Sequence, residues 1–155
     1  MRLTRYLAIV VLLLGVVGIA MGAVFISLGV AKNNQLVEAL RLEQVTLGME
    51  ENVAAEGNVI DTAEETQAAG DTIREHRRNI ALTYEELLGG ERFDPTNPQH
   101  LSYAQALNME NYLYLAVVGF GLINVVIASG AFMVVTGFAL GGTGLVLYQL
   151  GGRLS

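Results

Sequence analysis

His76, Arg77 and Tyr84 fall close together in "DTIREHRRNIALTYEELLGG", residues 71–90. These residue types could serve acid–base chemistry, an anion or ligand contact, or a metal site. Acid–base chemistry needs a second polar group converging on the histidine in a cleft, and no such partner stands out along the chain. A metal site is poorly supplied as well. The only other histidine is His100, there is no HxxxH or ExxH spacing, and the chain holds no cysteine. No cofactor, metal or catalytic residue is therefore expected. At about 100° per residue, Asp71 to Leu88 predicts one helix, capped by Asp71 and closed by Gly89-Gly90. On that wheel Ile73, His76, Arg77, Ile80 and Tyr84 share an apolar arc. Arg74, Glu75, Arg78, Glu85 and Glu86 face the other way with Leu82. The expectation is a packed, hydrogen-bonded His76. A partner or ligand contact would use His76, Arg77 and Tyr84, with Arg74 and Leu82 on the outer face.

The elements that must hold this stretch are unusually apolar. The chain has 155 residues, 52% of them hydrophobic, and a mean hydropathy of +0.45, more than an ordinary soluble domain carries. The excess lies in Tyr6 to Ala31 and in Leu113 to about Phe138, two charge-free runs of 26 residues. About 20 residues suffice to cross a bilayer core, so each reads as a transmembrane helix. The first exceeds the apolar core of a secretory signal, about 7 to 15 residues, and is expected to remain as an anchor.

Arg2, Arg5 and Arg153 flank the apolar runs at the two chain ends, whereas all 15 acidic residues lie between Glu38 and Glu110. The positive-inside bias then predicts cytoplasmic termini and an acidic extracytoplasmic segment, in the cell membrane. An acidic surface of that kind excludes nucleic acid as a partner. The expected divisions are a first transmembrane helix over 1–31, the external segment over 32–111 containing helix 71–88, and a second transmembrane helix over 112–138. A glycine-rich interfacial or cytoplasmic tail follows over 139–155. Apolar spacing at Leu36, Val37, Leu40 and Leu42 carries the first helix out of the membrane to about Gly48. Val45–Leu47 and Val59–Ile60 suggest short strands, and Asn97-Pro98 starts the last helix.

Within the spans, small residues recur every seven positions: Ala8, Gly15, Gly22 and Gly29 in the first, Gly130, Gly137 and Gly144 in the second. Gly18 with Gly22, and Gly137 with Gly141, add GxxxG pairs. Residues this small let helices approach closely, which is how membrane helices gain packing energy. Asn124 is the strongly polar side chain within a span and is expected to make an interhelical hydrogen bond.

"DTIREH" followed by "LTYEEL", a proline-containing linker and "VVGFG", with "LRLEQVTL" after the first span, resembles a family of small two-span membrane proteins found mainly in actinobacteria. Members of that family are often labelled aromatic ring-opening dioxygenases. The resemblance implies two spans, an external segment and cytoplasmic ends. It implies no dioxygenase chemistry here, because the histidine and carboxylate ligands of an iron site are missing. This chain departs from the pattern in its shorter stretch between His76 and Tyr84 and its long glycine-rich tail after Phe138.

The fold class expected is an all-α membrane protein, a two-span helical hairpin with a small, mostly helical extracytoplasmic cap. Its expected role is non-enzymatic: a structural or assembly subunit that meets lipid, copies of itself or other membrane subunits. An external sensor or small-ligand-binding module is the other class open to it.

Overall fold

The computed structural model describes residues 2–42 and 60–153. Four helices account for nearly all of them, with no strand among the described residues. These are α1 (Arg2–Leu42), α2 (Ala63–Ile80), α3 (Tyr84–Leu88) and α4 (Pro98–Arg153). α1 and α4 have 41 and 56 residues, and both are long and apolar enough to cross a membrane. The short strands expected at Val45–Leu47 and Val59, and the end of α1 near Gly48, lie outside the described residues. The chain forms two compact units: α1 to Asn33 with α4 from Leu122, and Asn34 to Gly121.

The first unit is an antiparallel helix pair whose contact surface is made of glycine. Ala8, Gly15, Gly22 and Gly29 on α1 are buried, as are Gly130, Gly137 and Gly144 on α4. The backbones come so close that a Cβ built on Gly22 would stand 2.5 Å from the Gly130 carbonyl oxygen, and one on Gly15 2.7 Å from that of Gly137. A Cβ on Gly144 would meet the Leu12 nitrogen at 2.8 Å, and one on Gly29 would collide with Ile127. At the far end the Arg5 Nε donates to the Gly151 carbonyl at 3.2 Å.

In this register the charge-free run Tyr6 to Ala31 lies against about Val125 to Leu150. Residues 139–153 continue α4 as unbroken helix. Gly142 has open space around its Cβ position, and Gly141 serves by its backbone, against which Gly15 rests. Helix propensity disfavours these glycines by about 1 kcal/mol each, and close packing along the pair offsets it.

The second unit gives three of the apolar residues between Leu113 and Phe120 a protein core. Leu113, Ala116 and Phe120 of α4 pack with Leu40 of α1, Ile60, and Ala69 and Ile73 of α2, flanked by Leu36, Val37 and Ala106. Gly70 lets α2 ride against α4: a Cβ there would lie 3.3 Å from the Tyr114 ring and 3.5 Å from Leu113.

α2 begins at Ala63 behind the cap residue Thr62, not at Asp71, and the expected helix 71–88 is in fact parts of two helices. Thr62 accepts from the Glu65 amide at 3.2 Å, and the Glu65 carboxylate accepts from the Asp61 amide at 3.2 Å. Thr83 and Glu86 repeat the arrangement at the start of α3, with bonds of 3.1 Å and 2.9 Å. Two Thr-x-x-Glu sequences thus act as near-reciprocal caps. The second stops α2 at Ala81, whose backbone is extended. α3 then closes on Gly89 in the left-handed conformation, φ 55°.

Candidate functional site

The chemistry-bearing side chains converge in the second unit on Glu110, a buried residue of α4. Its two carboxylate oxygens are taken by two arginines one turn apart on α2. Arg77 Nε donates to Oε2 at 2.7 Å and Arg74 Nε to Oε1 at 3.0 Å. Arg77 also donates from Nη1 to the Tyr103 hydroxyl at 2.6 Å and lies over that ring, 5.0 Å from its centroid. Arg74 lies 4.5 Å over Tyr114, whose hydroxyl donates to Asp71 at 2.5 Å. Tyr103, only 2% exposed, meets the Tyr84 ring at 6.1 Å.

Positions 103 and 110 are seven apart on α4, and 74 and 77 are three apart on α2. Each pair therefore shares a helix face, and the two faces meet. Burial pushes the Glu110 carboxyl up, but the hydrogen bonds and charges of Arg77 and Arg74 outweigh it and hold it below the ordinary carboxylate range. No buried side-chain polar atom of this cluster is left without a partner. Chemically it is a closed ion-pair clamp: neither a poised acid, nor a base, nor a free anion site.

His76 lies elsewhere. It is exposed, not packed among aliphatic side chains, because α2 turns Ile73 and Arg77 inward on either side of it. It edges an open groove of about 870 Å³ with Ile73, Ser102, Gln105, Asn108, Met109, Asn111, Tyr112 and Leu115. The expected arc of His76, Arg77 and Tyr84 is thus broken up. The break at Ala81 puts Tyr84 on another helix, and Arg77 alone of the three is buried. Arg74, expected outside, belongs to the clamp, while Leu82 is exposed at 65%.

His100 is a loop anchor. Its Nδ1 accepts from the Asp94 amide at 3.0 Å and its ring stacks on Phe93. Among the described residues no group of three His, Asp or Glu side chains could hold a metal ion.

Of the packing residues, Ala8, Gly15, Gly22, Gly29, Gly130 and Gly137 sit at the helix contact. Gly18 makes only ordinary contact, its Cβ position 3.4 Å from the Met133 carbonyl oxygen. Asn124 is exposed and lies outside this contact. With Gly29 against Ile127, Asn124 stands about one turn further along, level with Ala31 and Lys32. It therefore sits at the rim of the apolar stretch, where no buried hydrogen bond is required of it.

Glu110 and Tyr103 escaped the sequence reading, although one signal was there. Glu110 is the single acid in α4, seven residues from a tyrosine and facing the one arginine on the apolar arc of α2. Comparison with protein-family models, curated proteins and solved structures returns no match. The likeness to two-span actinobacterial membrane proteins rests on the quoted motifs alone.

Proposed function

We propose that the chain is a non-enzymatic, two-span membrane subunit with a structural or assembly role, whose external helical cap is locked by the Glu110 clamp. The observation that carries the membrane reading is the inverted distribution of side chains in the helix pair. Glycines fill the inside, while Leu13, Val17, Val24, Leu28, Phe132, Val135, Phe138 and Val146 point outward, each more than half exposed. Only 11% of the apolar window of either helix is buried. A soluble core helix buries such residues, whereas a lipid-embedded pair turns them out and packs on small ones. The contact of Arg5 with Gly151 brings the basic chain ends together beside Tyr6 and Tyr148, which suits a cytoplasmic interface with its aromatic belt. The acidic unit then faces outward.

A non-enzymatic role is supported by the closed state of the clamp, in which the one carboxylate is paired with both arginines. The test is fractionation of the tagged chain with protease protection. The account expects retention after alkaline carbonate washing and cleavage of the acidic segment from the external side only. Release by carbonate would refute it. The groove at His76 favours a second reading, a small-ligand module, since it joins apolar Met109 and Leu115 to the amides of Asn108 and Asn111. In that case a bound amphipathic molecule would co-purify in stoichiometric amount.

A further inference from the structure

We infer that α4 presents a self-pairing seam, and that the chain forms a parallel homodimer along it outside the membrane. The proposal rests on the two-span reading above. Leu101, Asn108 and Leu115 recur every seven residues on α4, with Ala104, Asn111 and Val118 three residues after each. This is the a/d spacing of a coiled coil, and in the sequence the same spacing runs on through Leu122 and Val125.

None of these seam residues is buried. Leu101 is 43% exposed, Leu115 69% and Val118 57%, while Asn108 and Asn111 are exposed as well. The faces of α4 turned to α1 and α2 are a different set: Tyr103, Glu110, Leu113, Ala116 and Phe120. The seam is thus an apolar stripe interrupted by amides on an otherwise packed helix. Lipid does not account for it, because Gly119 of α4 already lies against Leu36 of α1, past Lys32, and the seam runs from there away from the apolar run.

Three observations point to a second copy as the occupant. Copies inserted with one topology run parallel, so identical residues face each other across a two-fold axis, and a self-pairing seam must then be free of charge. From Pro98 to Gly152 the one Asp, Glu, Lys or Arg is Glu110, which faces away and is neutralised by Arg74 and Arg77. The remainder of the external segment carries an excess of acids, and contact elsewhere would oppose like charges. Finally, asparagines on the seam satisfy one another across a symmetric pair and fix its register and two-stranded state. The groove beside His76, lined by Asn108, Asn111 and Leu115 from the seam, opens along the same face and would be covered by the partner helix.

The chain contains no cysteine, so single replacements at Asn108, Asn111, Leu115 and Val118 can be oxidised in native membranes with copper phenanthroline. Gln99→Cys on α4 and Asn79→Cys on α2, both exposed and off the groove, serve as controls. Disulfide formation requires Cα atoms within about 7 Å. The seam predicts covalent dimer at all four seam positions, several-fold above both controls. Adding Leu115→Glu and Val118→Glu to the Asn108→Cys chain should abolish it while the protein stays in the carbonate-washed membrane. Equal crosslinking at seam and control positions, none at all, or adducts to a different protein would overturn the seam. If any of these occurs with the chain retained in the membrane, only the dimer fails. Loss of the chain on washing would bring down the two-span reading beneath it.

Discussion

Glu110→Gln removes one charge from the clamp and almost no volume. It leaves Arg77, a side chain only 10% exposed, with no counter-charge. Breaking a buried pair by removing one partner costs about 3–5 kcal/mol. The lower end applies here, because the glutamine oxygen still accepts one arginine hydrogen bond and Arg77 keeps Tyr103. A loss of about 3 kcal/mol corresponds to roughly a hundredfold rise in the open population of the unit, at 1.4 kcal/mol per decade. Amide hydrogen exchange of the protein in nanodiscs reads this directly. Protection should drop about a hundredfold in α2 and in residues 98–121 of α4, while the glycine-packed helix pair should be unchanged. Arg74→Gln, at the solvated side of the carboxylate, should do less. An exchange change in α2 below about tenfold, or an equal change in the helix pair, would refute the clamp as the lock of the cap.

Gly22→Ala drives a Cβ to 2.5 Å from the Gly130 carbonyl and should cost about 1–3 kcal/mol as overpacking, lowering the thermal midpoint in detergent. Gly142→Ala, with open space, should be neutral or slightly stabilising. Acid should loosen the cap through Glu110. Its folded pKa is depressed, so its contribution is complete above the unfolded value of about 4.3. The contribution falls as pH drops through the lower folded value. Circular dichroism should show a helicity loss there that Glu110→Gln no longer displays. Thr83→Ala removes the cap of α3 and should cost about 1 kcal/mol, seen as faster exchange at the Glu86 amide.

The two long apolar helices were legible because long charge-free runs admit few other folds, and the glycine interval of seven pointed at the residues that now meet. Which stretch of α4 lies against α1 was not legible. Hydropathy scores Leu113 and Phe120, which face Leu40 and Ile73, the same as Phe132 and Phe138, which face outward. The wheel drawn through 71–88 failed because two Thr-x-x-Glu caps, at Thr62 and Thr83, outweigh helix continuity at Ala81. His76 follows from that: on the helix that forms, Ala63–Ile80, the inward stripe runs Thr66, Ala69, Ile73, Arg77, and His76 falls beside it. Arg77 was visible as the charge on the wrong face, but its partner lies 33 residues away on a helix that reads as lipid-facing.

The register of the helix pair is the central claim, and water-soluble maleimide labelling of single cysteines along α4 in intact membranes tests it most directly. The pairing of Arg5 with Gly151 and Gly29 with Ile127 predicts that cysteine at the exposed Gly121 reacts, and that cysteines at Val135, Leu145 and Val146 are shielded. Reaction at Leu145 and Val146 with protection at Gly121 would restore a span over 113–138 and contradict the account.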